Sequence, residues 1–288
     1  MRYAIITNPA SGQMSADQKR AALLPAAQIL GAEIHGLNTT TPEEFIQCAR
    51  ELAARCDVLV AAGGDGTLSD MINALDTSRM CIAYLPLGSG NAFSHALSYR
   101  GSLTDIAHRI LESKTQDYDL ISCNGKRRAF TASLGFEGAV IRLRDQYVAK
   151  GMTGIKAYGK ALFIAYFMTY KRSRAEILVD GETTRIHDLL SLMVVKQPYY
   201  GYGLKVVPQA CFDDGRLHIR WTNAGLFLSL VGLATAFSLG NRIGQYRRGR
   251  HVRVNLERPL MLQIDGSFAR EADVFTFEVL PKALKIKC

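Results

Sequence analysis

Apolar residues fall into two different patterns along the chain. Up to about residue 115, short and nearly uniform apolar runs alternate with helix-forming stretches. Tyr3–Thr7 is a β-branched run that ends in the turn sequence Asn8-Pro9-Ala10-Ser11-Gly12. Residues 16–30 set Leu23, Leu24, Ala27 and Leu30 at helical spacing, and 32–37 read as a strand. Thr41-Pro42-Glu43-Glu44 marks a helix start, with an N-cap, a proline at the first position and two early carboxylates. A wholly apolar strand at 58–62 runs into Gly63-Gly64-Asp65-Gly66-Thr67, and 71–75 continue a helix. A second buried strand at 80–85 runs into Pro86-Leu87-Gly88-Ser89-Gly90-Asn91. Uniformly apolar strands separated by helices predict a parallel sheet covered on both faces. Ligands of such sheets bind beyond the carboxyl ends of the strands, and both glycine-rich loops lie there.

Beyond residue 115 the pattern changes. Alternating segments at 117–123, 126–133, 175–180, 189–196, 215–222, 259–264 and 273–280 predict antiparallel strands. Helical stretches at 153–170 and 224–239 interrupt them, and no internal repeat is visible. The expected fold class is therefore α/β in two domains. A three-layer α/β domain is expected over 1–115, and a β-rich domain over 116–288.

Composition narrows the classes. With 48% hydrophobic and 21% charged residues, the chain is neither disordered, coiled-coil nor collagen-like. The net charge of +9 favours anionic partners without choosing among them. Six cysteines without a CxxC pair argue against a disulfide framework or a cysteine zinc site, and the six histidines lack metal-ligand spacing. The segment 224–240 is the most apolar, yet falls short of the roughly 20 residues that span a bilayer, so a buried or membrane-contacting helix is expected. The first residues lack a signal-peptide layout, which fits a reducing, cytoplasmic setting. Lys126-Arg127-Arg128, Lys171-Arg172-Ser173-Arg174 and Arg247-Arg248-Gly249-Arg250 read first as solvated faces. The second of these follows an apolar helix, so its other reading is an edge drawn to anionic headgroups. No nucleic-acid-binding module is present, and nucleic acid is not expected as a partner.

Candidate chemistry sits in the turns. Glycines after Val58 to Ala62 let backbone N–H groups approach phosphate oxygens at a helix N-terminus. Asp65 in that loop would repel phosphates unless it holds a metal ion or accepts a proton from a substrate hydroxyl. Taken alone, it is as well explained as a capping residue of a tight turn. Ser89 and Asn91 read as caps of a helix that begins near Ala92. Three polar turns at three strand ends favour a nucleoside triphosphate site, here without a Walker A lysine.

Taken in order, these motifs resemble the diacylglycerol kinase catalytic-domain lipid kinases, a group that includes bacterial lipid kinases and sphingosine kinases. The resemblance runs through Asn8 to Gly12, GGDGTL at 63–68, PLGSGN at 86–91 and Tyr118-Asp119-Leu120. It continues through Gly135-Phe136-Glu137-Gly138, Pro208-Gln209-Ala210, Asp213-Asp214-Gly215 and Ile264-Asp265-Gly266, and closes with Val279-Leu280-Pro281-Lys282-Ala283-Leu284. It implies a first domain similar to phosphofructokinases and NAD kinases, with ATP and Mg2+ as cofactors. Asn8, Gly63, Gly64, Asp65, Gly66, Thr67, Gly88, Ser89 and Asn91 are then expected at the phosphates, Thr39 at the nucleotide, and Asp265 and Gly266 in the same site. Asp65 would adjoin the acceptor hydroxyl. Asp214, with the carbonyls of Cys211 and Arg216, matches a magnesium position of bacterial members. The lipid acceptor would meet the second domain, where residues 161–170 form either a pocket wall or plain core packing.

The main departure is Ser267, which stands where relatives carry a glutamate base and cannot itself act as one at neutral pH. The expected function is an ATP-dependent lipid kinase peripheral to an anionic inner membrane face, with Asp65 and position 267 catalytic. A nucleotide- or lipid-binding pseudokinase, and a kinase of NAD or another soluble polyol, stay open as alternatives. The oligomeric state, a homodimer included, stays open too.

Overall fold

A computed structural model describes residues 1–152 and 154–288. The chain forms two compact units. The first comprises Met1–Leu120, Tyr199–Leu204 and Pro281–Cys288, and the second Ile121–Pro198 and Lys205–Leu280. That two later segments return to the first unit is not foreseen by the pattern along the chain.

In the first unit β1 (Tyr3–Thr7), α1 (Ala16–Leu30), β2 (Glu33–His35), α2 (Pro42–Ala53), β3 (Val58–Gly63), α3 (Asp65–Ala74), β4 (Cys81–Pro86), α4 (Ala92–Ala96) and α5 (Leu103–Glu112) follow one another. The strands pair in parallel in the order β2-β1-β3-β4, and Lys285 and Ile286 add a further parallel pairing beside β4. Every residue of β3 is buried, so both faces of the sheet are covered, as its unbroken apolar run requires. Local chemistry sets the helix ends. Ser15 and Gln18 form a capping box on α1, Gly31 closes it in the left-handed region at φ 60°, and Thr41 caps α2 behind Pro42.

The second unit takes in the end of β5 (Thr115–Cys123), then β6 (Arg127–Ala129), β7 (Thr131–Gly135), α6 (Phe136–Ala149) and α7 (Gly154–Ile164), which runs into one π-helical turn at Ala165–Thr169. There follow β8 (Ser173–Val179), β9 (Glu182–Leu189), β10 (Ser191–Val195), β11 (Leu217–Thr222), α8 (Leu226–Ala236), β12 (Gln245–Gly249), β13 (His251–Ile264) and β14 (Ser267–Lys287), whose tail belongs to the first unit. Antiparallel pairing joins β12-β11-β10-β7-β13-β14, with β8 on β13 and β9 on β8. A core of Leu134, Leu192, Ile219, Trp221, Val254 and Phe275 lies within this β-rich unit.

Several elements escape the sequence pattern, α5 and β12 among them. The segment 126–133 is two strands, and β9 carries too many polar residues (Thr183, Thr184, Arg185, His187) to stand out. α6 is hidden by its β-branched Val140 and Ile141 and by Gly138. Gly138 is there for packing: a Cβ on it would lie 2.2 Å from the Met261 carbonyl oxygen, so α6 rests directly on β13. Of the expected helix at 153–170, Thr153 lies outside the described residues; the remainder is α7 with its π turn.

Candidate functional site

The Asn8–Gly12 turn is organised by a residue that sequence reasoning passes over. The ammonium of Lys19, buried at the start of α1, donates to the carbonyls of Asn8 (2.6 Å), Pro9 (2.9 Å) and Ser11 (2.5 Å). Asn8 turns its own side chain inward, its Oδ1 accepting the Ala10 N–H at 2.9 Å. Lys19 thus brings positive charge under a turn expected to meet phosphate. Burial lowers its pKa from the ordinary lysine value. Helical spacing puts position 19 on the buried face, four residues before Leu23, but the residue type hides it, because a lysine in a first helical turn normally reaches water.

The two glycine-rich loops touch backbone to backbone. A Cβ on Gly88 would fall 2.5 Å from the Gly64 Cα, and the Leu87 N–H donates to the Gly63 carbonyl at 2.8 Å. Only glycine permits this approach. The first-turn N–H groups of Gly66 and Thr67 have no acceptor within α3, which suits an anion. The Thr67 hydroxyl is buried against Gly63, so the side chain faces inward.

Asp65 is placed by two backbone donors. Its Oδ2 accepts the Ala92 N–H at 2.9 Å and its Oδ1 the Phe93 N–H at 3.0 Å. The start of α4 is therefore capped from α3, which corrects the expectation that Ser89 and Asn91 cap it. Ser89 is exposed. Asn91, at φ 43°, instead clamps the loop: its Oδ1 accepts the Gly88 N–H (3.0 Å) and its Nδ2 donates to the Gly88 carbonyl (2.6 Å). Burial raises the Asp65 carboxyl above its ordinary range, with the Phe93 and Ala92 N–H groups opposing the rise. A carboxylate so raised is a better proton acceptor once ionised. Over this loop, in the same unit, the Tyr202 N–H donates to the Gly90 carbonyl at 2.8 Å.

Of the three consecutive threonines, Thr40 and Thr41 serve α2 by bonding Glu44. Thr39 lines a cavity of about 410 Å³ with Arg20, His35, Asn38, Glu44 and Cys48. That volume is of the order a small-molecule group needs.

In the second unit, Asp265 and Gly266 form a two-residue hairpin turn between β13 and β14, both with positive φ (46° and 79°). The Asp265 carboxylate ties this turn to the start of β7, its Oδ1 accepting the N–H of Phe130 (3.0 Å) and of Thr131 (2.9 Å). The Gly266 carbonyl accepts Arg144 at 2.9 Å. Ser267 is exposed at the start of β14. Glu271 pairs with Arg142 at 3.2 Å. Glu137, at the start of α6, is buried at its carboxyl; the Ser191 hydroxyl donates to its Oε1 at 2.7 Å, while its Oε2 has no partner. Burial pushes the Glu137 carboxyl up to about 7.

The expected magnesium position does not fit. Asp214 Oδ1 and the Arg216 carbonyl are both occupied by one ammonium, that of Lys196, at 2.8 and 2.7 Å. The Arg216 N–H also donates to Asp214 Oδ1 (3.1 Å). Burial favours protonation of Asp214, but Lys196, His218 and the Arg216 N–H together outweigh it and hold the carboxyl below its ordinary value. Cys211, Asp214 and His218 do converge, with ligand atoms within 4.8 Å of one another. His218 Nε2, however, takes the Cys211 N–H at 3.3 Å, and its Nδ1 meets the Tyr246 hydroxyl at 2.7 Å.

Comparison with known proteins places these features in a lineage. Residues 2–123 match the Diacylglycerol kinase catalytic domain family, and residues 131–288 match the YegS C-terminal NAD kinase beta sandwich-like domain family. A diacylglycerol kinase of Bacillus subtilis is 24% identical over 282 residues, covering 93% of this chain and 90% of that protein. One from Staphylococcus saprophyticus is 25% identical over 277 residues, covering 93% and 89%. The crystal structure of a diacylglycerol kinase from Bacillus anthracis superposes with a TM-score of 0.73 at 18% identity, covering 99% of this chain and 96% of that one. An NAD kinase from Archaeoglobus fulgidus in complex with ATP gives 0.53 at 14% identity, covering 100% and 94%. At those identities the two structures attest the fold alone.

Proposed function

The chain belongs to the diacylglycerol kinase catalytic-domain family, and from that premise we propose that it is an ATP-dependent lipid kinase acting at an anionic membrane surface. In this reading the backbone N–H groups of the loops at Gly63–Thr67 and Gly88–Asn91 hold the ATP phosphates, and the Thr39 cavity takes part of the nucleoside. Asp65 receives the proton of the lipid hydroxyl as its oxygen bonds to the γ-phosphorus and the bond to ADP breaks. Magnesium bound with the nucleotide supplies charge neutralisation.

The observation that carries the lipid half of this reading is α8. Of its eleven residues only Gly232 and Ala236 are buried. Phe227 is 76% exposed and Leu230 55%, and Phe237 and Leu239 continue the apolar surface past its end. Water is a poor solvent for so large an apolar surface, which marks it as a contact site. The π turn exposes Phe167 and Met168 beside Phe163 of α7, and Arg172 beyond it donates to the carbonyls of Asn223 (2.8 Å) and Ala224 (2.6 Å), just before α8. Both apolar segments are thereby tied to one region of the second unit. Arg172, expected to meet headgroups, is committed to this tie and to Asp188. The occupant we favour is a bilayer carrying anionic lipid, which suits apolar side chains on a chain of net charge +9. No helix among the described residues is long and apolar enough to cross a membrane.

The deciding experiment is transfer of labelled γ-phosphate to diacylglycerol, monoacylglycerol, phosphatidylglycerol and sphingoid bases in vesicles, beside NAD and soluble polyols. Labelled lipid supports the proposal. Label confined to NAD or a polyol, or ATP binding with no transfer to any lipid, overturns it.

A further inference from the structure

Lys196 follows directly on the buried strand β10, and its side chain is wholly buried. An ammonium placed there is costly unless fully paired. Its partners include two hard oxygens, Asp214 Oδ1 at 2.8 Å and the Arg216 carbonyl at 2.7 Å. A carboxylate and a backbone carbonyl at one point are the ligands that magnesium or calcium selects. Magnesium would need those same oxygens at about 2.0–2.1 Å, in the space that Nζ fills.

We infer that Lys196 is a built-in replacement for a divalent cation, so that the loop from Pro208 to Arg216 is held by a covalently attached positive charge and not by a metal ion. The chain supplies with one side chain what a metal site would supply by binding. The loop should then be indifferent to the concentration of free divalent ions. Any magnesium requirement of turnover would belong to the nucleotide alone.

The remaining route for a metal runs through Asp214 Oδ2, His218 Nε2 and Cys211 Sγ, whose atoms converge. A dication there would share one carboxylate with the ammonium, and like charges at that spacing repel. It would also displace the Cys211 N–H from His218 Nε2, leaving a backbone donor unpaired.

The test uses the full chain without nucleotide, so its outcome is independent of whether the protein is a kinase. Thermal unfolding is followed in EDTA and in magnesium, calcium, manganese or zinc chloride, for the parent, Asp214→Asn, Lys196→Ala and Lys196→Met. The parent should melt at the same temperature throughout. Lys196→Ala uncovers the oxygens and opens space for a hydrated ion. It should melt roughly 10 °C lower in EDTA, as expected for breaking a buried pair, and recover part of that loss in millimolar magnesium or calcium. Lys196→Met fills the space without the charge and should fall without recovery. A parent protein stabilised by any of these ions, with the effect lost in Asp214→Asn, overturns the inference, and this arm needs no Lys196 variant to fold. So does a Lys196→Ala protein that melts as the parent does, or one that falls with no metal recovery.

Discussion

The Asp65 carboxylate accepts the Phe93 backbone N–H at 3.0 Å, so a residue on α3 fixes where α4 begins. Together with the Ala92 contact this spends one lone pair of each oxygen on structure and leaves the others for a substrate hydroxyl. Asp65→Asn should therefore act twice. Loss of the acceptor charge should lower turnover by about 10² or more. The amide nitrogen, turned toward one of the two N–H groups, should cost about 1–3 kcal/mol and depress the melting temperature by several degrees. Full turnover in Asp65→Asn would show that the chemistry lies elsewhere.

Glu137 offers a pH signature. Its folded pKa of about 7 lies above the ordinary 4.5. Below 4.5 it is protonated folded or unfolded, and it costs nothing. Between 4.5 and 7 the unfolded chain loses the proton while the folded chain keeps it, so stability falls as pH rises through this window. The cost above pH 7 is on the order of 3 kcal/mol. Glu137→Gln should raise the melting temperature at pH 8 and leave it nearly unchanged at pH 4.5. An equal effect at both pH values would mean that the carboxyl is not held neutral by burial.

Ser267 stands exposed on the first residue of β14, after a turn whose geometry Asp265 and Gly266 set without it. A glutamate there should fold without strain. If the missing carboxylate limits the reaction, Ser267→Glu should raise lipid-kinase turnover, within the roughly 10²–10⁴-fold that general-base assistance contributes, with nucleotide affinity unchanged. A parent that already phosphorylates a lipid quickly, and is slowed by the substitution, points to a site reshaped around serine.

On α8, Phe227 and Leu230 are exposed, so replacing both by serine should leave the melting temperature unchanged. Each should forfeit about 1.5–3 kcal/mol of burial in a bilayer, weakening binding to anionic vesicles at least tenfold. Vesicle binding equal to the parent's in a sedimentation assay would remove α8 from the membrane face.

Much of the first unit is legible from sequence because its signals are local. A strand buried on both faces has to be apolar at every position, and Val58 to Ala62 are. Capping residues bond within three or four positions, so Thr41 announces its helix. The glycines at 63, 64 and 88 mark the loops, because side chains would collide there. The second unit is harder to read. Several of its strands, β8 and β9 among them, are only part-buried, and its longest missed helix, α6, carries the β-branched residues and glycine that usually argue for a strand.

The sequence by itself therefore determined the alternation of strands and helices at the start of the first unit, the position of the glycine-rich loops and the family to which they belong. Tertiary structure decided the use of the charged residues. Asp65 reaches Ala92, 27 positions away, and Lys19 turns back onto Asn8, 11 positions away. Lys196 meets Asp214, 18 positions on, at the oxygen where the family resemblance implies magnesium. The physical reason is range. A backbone propensity or a cap is satisfied by near neighbours, whereas a buried charge takes whichever oxygen or N–H the folded chain brings to it, and spacing along the sequence does not encode that meeting.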